Sequence, residues 1–262
     1  MKKALKRELN LFLNALMFFT RIPCPRNLVY SEEIMCKALR YYPLTGLIVA
    51  AITAGILWLA LLAMPVPVAV ILALAASVLL TGAFHEDGLA DFVDGFGGGY
   101  TRERILEIMR DSCIGTFGTI ALILLFALKI AALITIPEGK LPAVLISAGC
   151  SSRVFLVLMV KTSSYAREND GKAFFSRHGI GLKSLGIIIV SGFIPLIMFN
   201  YRFVILYIAL ALIFLAAFRH YLHRRIGGFT GDTLGAVQQI TELIFYILLT
   251  AGPPSWMNSS AW

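Results

Sequence analysis

The sequence predicts an all-α polytopic membrane protein, with about seven transmembrane helices and a short N-terminal interfacial helix. Three observations carry this. Of 262 residues, 58% are hydrophobic and only 15% charged, with a mean hydropathy of +0.82; a soluble domain carries about 25% charged residues. Long apolar runs approach the roughly 20 residues that cross a bilayer and alternate with short polar turns. Lys and Arg sort into alternate connections, 19 of the 23 in one set and two in the other, which is the positive-inside pattern. The length suits one integral membrane domain over residues 1–262, without room for a large soluble one.

The elements follow in order. Residues 1–46 hold eight basic residues from Lys2 to Arg40. Leu9–Phe19 is too short to span comfortably and reads as a helix in the interface, its basic flank towards anionic headgroups, or as a short packed helix. Thr20-Arg21-Ile22-Pro23 follows it in place of a small-residue cleavage site, so no cleavable signal is expected. Spans are expected at Leu44–Met64, Val68–Phe84, Gly115–Ile136 and Pro142–Val160. Three more follow at Leu185–Phe199, Phe203–Phe218 and Leu234–Ala251. Pro65-Val66-Pro67, Pro137–Lys140 and Asn200-Tyr201-Arg202 are turns on one side. The longer polar loops, including Lys161–Lys183 and Arg219–Thr233, lie on the other side with the N-terminus, which the charge bias makes cytoplasmic. This arrangement puts the C-terminus outside.

The net charge of +8 does not indicate nucleic acid, because the basic residues form no groove-like run and sort by membrane side. Cys24, Cys36, Cys113 and Cys150 show neither zinc-site spacing nor a disulfide framework. The glycine run from Gly95 to Gly99 is not followed by the Lys-Ser/Thr of a nucleotide-binding P-loop.

The chemistry concentrates between Phe84 and Gly118, between two long apolar runs; charge beside a bilayer is costly and marks a functional site by default. On a helix, Asp87, Asp91 and Asp94 fall at roughly 0°, 40° and −20°, so three carboxylates share one face. Like charges so close repel unless a cation joins them. Mg²⁺ suits such hard oxygen ligands and keeps open positions for substrate phosphates. The other reading is a charged helix start facing its dipole. His85 lies roughly opposite Asp87 and either orients a neighbour or serves as a base; it stands with the three aspartates as a catalytic candidate. Gly97 and Gly98 belong to a glycine-rich turn whose amides would cradle phosphate, or to a merely flexible one. Arg104 and Arg110 are phosphate-binding candidates or members of a salt-bridged surface helix. Gly227–Ala236 precedes the last span at the same membrane face. There Thr230 and Gly231 are candidate substrate contacts, and Asp232 is either a further metal ligand or an N-cap. Glu242, Arg153 and Lys129 lie within spans, where mutual pairing would account for them.

These residues resemble the cobalamin synthase (adenosylcobinamide-GDP ribazoletransferase) family almost from end to end. The resemblance rests on an ordered set. It comprises Phe-Thr-Arg-Ile-Pro (19–23), Tyr-Tyr-Pro-Leu-Thr-Gly (41–46), His-Glu-Asp-Gly-Leu-Ala-Asp-Phe-Val-Asp-Gly (85–95) and Met-Arg-Asp-Ser-Cys-Ile-Gly-Thr-Phe-Gly (109–118). It continues with Ser-Arg (152–153), Tyr-Ala-Arg-Glu (165–168) and Gly-Gly-Phe-Thr-Gly-Asp-Thr-Leu-Gly-Ala (227–236). The departure is Glu86, where family members are expected to carry an apolar residue. The resemblance implies an Mg²⁺-dependent enzyme of the bacterial or archaeal cell (inner) membrane, its active site facing the cytoplasm. It would join adenosylcobinamide-GDP to α-ribazole, or its 5′-phosphate, and release GMP. Asp87, Asp91 and Asp94 would be metal ligands, one acting as base, with Arg104, Arg110 and Asp232 as further phosphate or metal contacts. A homo-oligomer is compatible with this. Two other functions share features of the sequence: a CDP-alcohol phosphatidyltransferase, whose Asp-Gly-x-x-Ala-Arg opening is absent, and an ion-coupled transporter, whose acids would sit nearer the bilayer midplane.

Overall fold

The chain, seen in a computed structural model that describes residues 2–167, 180–251 and 256, is a bundle of helices; an isolated bridge between Tyr165 and Phe229 is the β-type pairing seen among the described residues. Glu168, Lys172 and Arg177 of the cytoplasmic-loop reading lie outside the described residues, as do 252–255 and 257–262 of the tail.

Helix α1 (Lys2–Phe19) is longer than its apolar core suggests. It buries Leu11, Asn14, Ala15 and Leu16 and leaves Leu5 and Leu9 exposed. The loop after it folds back, with the Asn10 and Asn14 amides donating to the Val29 carbonyl at 2.9 and 3.1 Å. Helix α2 (Glu32–Ala38), capped by the Ser31 hydroxyl on Ile34 N–H, runs through one 3₁₀ turn into α3 (Tyr42–Leu61). Then come α4 (Val66–Thr81), α5 (Phe84–Gly98), α6 (Arg102–Ile108), α7 (Thr116–Ile134) and α8 (Leu141–Thr162). The last three are α9 (Leu182–Phe193, extended by a 3₁₀ segment to Met198), α10 (Tyr201–Ile226) and α11 (Gly231–Ala251).

Five of the described helical segments are long and apolar enough to cross a membrane alone: Glu32–Leu61, α7, α8, α10 and α11. The 16-residue α4 reaches that length only together with α5, and Leu182–Met198 is a shorter apolar helix. These two correspond to the remaining expected spans. The expected second span does not run on to Phe84, because α5 turns off the α4 axis by 87°. The elbow is Gly82 (φ 67°) and Ala83 (φ 59°), both left-handed, a conformation open to Gly and strained for Ala. A side chain at Gly82 would meet Arg21 Nε at 2.3 Å, and Arg21 N–H donates to Leu80 O at 2.7 Å. The elbow therefore lays α5 across one end of the bundle.

Helix α8 is the central post, with every residue from Ser147 to Val157 buried. It packs on α3 where Gly46 faces Gly149: a Cβ at Gly46 would come within 2.6 Å of the Gly149 carbonyl and of Arg153 Cδ. Small residues at such a crossing let backbones approach, the usual means of helix association in lipid. Aliphatic side chains such as Leu59, Leu79, Ile123 and Ile213 stay exposed around the outside, as a lipid-facing surface requires.

Candidate functional site

Helix α5 presents two faces. His85, Glu86, Leu89, Ala90 and Asp94 are buried, Asp91 is half-buried and Asp87 is exposed. The three aspartates share the helix as the spacing predicts, but Asp94 has a separate task. One of its carboxylate oxygens accepts from Gly115 N–H at 2.7 Å and the other from Gly118 N–H at 2.8 Å. It thus caps the first turn of α7 from another helix, satisfying donors that have no partner within α7. Side chains at Gly115 or Gly118 would strike that carboxylate at 2.4 and 2.3 Å, which explains why both positions are glycine. Asp94 thus serves as a structural clamp between α5 and α7, apart from Asp87 and Asp91. Among the described residues, no three His, Cys, Asp or Glu side chains are grouped to hold a metal ion by themselves.

Asp232 joins this face from α11. Gly88 and Gly235 bring α5 and α11 together: a Cβ at Gly88 would lie 2.8 Å from Asp232 O, and one at Gly235 the same distance from His85 O. The start of α11 is closed by a reciprocal pair. Thr233 N–H donates to Thr230 Oγ1 at 3.3 Å, and Thr230 N–H to Thr233 Oγ1 at 2.9 Å. The Thr230 hydroxyl donates onward to Asp232 Oδ2 at 3.3 Å. Thr230 is fully buried and Gly231 is the first residue of the helix, so both shape the helix start.

Arg167 completes the cluster. Its guanidinium donates to Asp232 Oδ2 at 3.1 Å. The short bridge holds it there: Ala166 N–H donates to Phe229 O at 2.8 Å, and Phe229 N–H to Ser164 O at 2.9 Å. Arg102 ties the same segment to α10 through Ala166 O (2.8 Å) and Ile226 O (3.0 Å). Reading the sequence missed Arg167 as a site residue and counted it only as a loop cation; its motif, Tyr165–Glu168, was the available signal. Burial first, then the charges of Asp87, Asp232 and Asp94, push the Asp91 carboxyl up to about 7, against the pull of Arg167.

The remaining candidates are placed differently from expectation. His85 is buried on the side of α5 away from this face, its Nε2 in a hydrogen bond with the Tyr42 hydroxyl, so it is not brought to the aspartates. Gly97 and Gly98 lie inside α5, which continues to Gly98 in place of the expected phosphate-cradling turn. A Cβ at Gly97 would meet the Phe117 ring at 2.8 Å, and one at Gly95 would meet Met109 Cγ at 2.4 Å; the glycines make room for α7 and α6. Arg104 is exposed and pairs with Glu107 at 2.8 Å, as in the surface-helix reading. Arg110 is exposed and lines, with Arg102, Leu106 and Arg167, an open groove of about 470 Å³.

Taken together, the face offers carboxylate oxygens at Asp87 and Asp91, a guanidinium-paired carboxylate at Asp232 and a groove lined by Arg102, Arg110 and Arg167 together with Glu103 and Glu107. Carboxylates of this kind are the hard oxygen donors that suit a divalent cation, and guanidinium groups suit phosphate oxygens. The family model described as cobalamin-5-phosphate synthase matches residues 11–250. Curated relatives named adenosylcobinamide-GDP ribazoletransferase include that of Vibrio cholerae, 41% identical over 96% of this chain and 97% of its own. Those of Shewanella frigidimarina (42%, 94% of this chain and 95% of its own) and Leptospira interrogans (41%, 96% and 98%) agree. No solved structure matches the chain. The chain belongs to the cobalamin-5-phosphate synthase family.

Proposed function

We propose that this protein transfers the adenosylcobinamide phosphate group from adenosylcobinamide-GDP to α-ribazole, or its 5′-phosphate, with release of GMP, at the cytoplasmic face of a bacterial inner membrane. The observation that carries this reading is the meeting of Asp87 and Asp91 with Asp232 and Arg167 beside the arginine-edged groove, in a chain matched along nearly its whole length by relatives of that name. The ribose hydroxyl attacks the phosphorus on the cobinamide side, the pyrophosphate bond breaks with GMP as leaving group, and a phosphodiester linkage forms. Two acidic side chains fit Mg²⁺, which takes one or two carboxylates and fills its sphere from water and substrate phosphates. Burial is the main reason that the Asp91 carboxyl is pushed up to about 7; the charges of Asp87, Asp232 and Asp94 add to it, and a cation there would offset that repulsion. Bound there, Mg²⁺ would neutralise charge on the phosphates and on the departing GMP.

The chain's own residues do the rest. Asp87 and Asp91 would hold the cation. Arg110 and Arg167 flank the groove and offer guanidinium donors to phosphate oxygens. A carboxylate of the acidic face takes the proton of the attacking hydroxyl. Asp94 ties α5 to the first turn of α7.

The test is GMP release by the purified full chain in detergent, with adenosylcobinamide-GDP, α-ribazole and Mg²⁺. Release that needs both the ribazole and the cation supports the reading. Absence of release under these conditions overturns it.

A further inference from the structure

Below the acidic face, inside the bundle, lies a second polar constellation with a different composition. Lys129 of α7 donates to Glu242 at 2.9 Å and to Gln239 Oε1 at 2.6 Å. Gln238 donates to Glu242 at 2.6 Å and to Ser152 Oγ at 3.2 Å, and Tyr246 donates to Glu242 at 3.2 Å. Lys129 and Glu242 thus satisfy each other, the expected fate of charges inside a membrane. Glu86 and Arg153 do not. Glu86 Oε1 accepts from Gln239 Nε2 at 2.9 Å, but Glu86 Oε2 is buried without a partner. Arg153 donates through Nη1 to the Gly149 carbonyl and stacks over the Tyr42 ring at 5.4 Å, yet its Nε is also buried without a partner.

The Thr53 hydroxyl is likewise buried without a hydrogen-bond partner, and Thr53, Glu86 and Arg153 all line one cavity. The cavity is walled by α3, α4, α5, α7, α8 and α11 and has a volume of about 30 Å³. Each group is held away from the other. Gln239 fixes the Glu86 carboxylate, and the Arg153 stem is wedged against Gly46. A direct ion pair between them is not made, although a buried charge lacking a partner is among the costliest features a fold can carry.

We propose that this cavity is a binding site for a small neutral polar ligand, one or two water molecules, that bridges Arg153 Nε to Glu86 Oε2 with Thr53 as a third partner. Volume and charge select this class. A buried water needs about 10–15 Å³ of such space and two to four polar partners, and the cavity supplies both. Lys129 and Arg153 balance Glu242 and Glu86 in formal charge, so the site asks for neither a free anion nor a free cation. The bridge does not depend on the proposed reaction.

The test uses the unmodified full chain in lipid nanodiscs, imaged at a resolution that shows ordered water. One or two density peaks within hydrogen-bond reach of Glu86 Oε2 and Arg153 Nε are expected. An empty cavity overturns the proposal, and so does replacement of that density by bromide in crystals grown with bromide, which would mark an anion site. A double-mutant cycle adds an independent readout. Glu86→Leu and Arg153→Met should each lower the melting temperature by about 5 °C or more, since each strands a buried charge. The double variant should lose much less than the sum, although the two side chains do not touch. Strictly additive losses would count against the bridge.

Discussion

Asp91 and Asp94 lie one helical turn apart on α5 and do different work. Asp94 gives both oxygens to the amides of Gly115 and Gly118, whereas Asp91 faces Asp87 and Asp232. Asp87→Asn and Asp91→Asn should each cut turnover roughly 10²-fold, equal to about 2.7 kcal/mol of transition-state stabilisation, with the protein still folded. Asp94→Asn should instead act on stability. A carboxamide accepts through one atom only, so one buried amide loses its partner at a cost of about 1–3 kcal/mol. Melting curves and Mg²⁺ titrations on the three variants separate these outcomes; a shifted Mg²⁺ midpoint with unchanged melting in Asp94→Asn would contradict the assignment. A pH dependence follows from Asp91. Its carboxyl moves from 3.8 to about 7 on folding, so the folded chain binds the extra proton between those values and loses stability as pH rises through them. In the presence of chelator, Asp91→Asn should therefore melt higher than the unmodified chain at pH 8, and the gap should close towards pH 4. The carboxylate spacing was legible in the sequence because helical periodicity is local. The division of labour was not, because it depends on where α7 begins.

At the scale of elements, the α4–α5 elbow directs the acidic face. The apolar run Val68–Phe84 reads as one span because it stays apolar through Ala83 and Phe84, although Gly82 near its end is a helix-stop signal. The turn arises from two left-handed residues and from Arg21 packed beneath them. Gly82→Ala should cost about 1–2 kcal/mol in backbone strain, with a further loss from displacing Arg21. A fall in melting temperature of at least 2–4 °C follows for a chain of this size. Ala83→Gly should be nearly neutral, since relief of the strain offsets the extra backbone entropy of glycine. Equal melting curves for Gly82→Ala and the unmodified chain would show that the elbow is not under this constraint. The run Gly95–Gly99 misled in the opposite direction. Glycine usually signals a turn, but here α6 and α7 press so close that side chains would not fit, and the helix persists through Gly98. Local propensity lost to tertiary packing.

At the scale of the molecule, the helix ends sort into two faces. Arg225 donates to Gly99 O at 3.0 Å, Arg102 reaches Ile226 and Ala166, and Asp94 reaches Gly115, so the ends of α5, α8 and α10 and the starts of α7 and α11 share one face. On the opposite face, the turn before α10 meets the segment after α11 through Asn200 N–H and Trp256 O at 2.8 Å. This is the alternation that the 19-to-2 division of loop Lys and Arg implies. Charge bias was legible because it is additive along the chain, while the meeting of Arg167 with Asp232 was not, because 64 residues separate them in sequence. The bias predicts the N-terminus inside and the C-terminus outside. A reporter fused after residue 262 should read as external, and one inserted between α6 and α7 as internal. The two readings test different things. An internal loop with an internal C-terminus would mean that one crossing after α7 is not made, and Leu182–Met198, the shortest apolar helix there, is where it would fail. An external loop would reverse the whole protein and move the acidic face away from the cytoplasm.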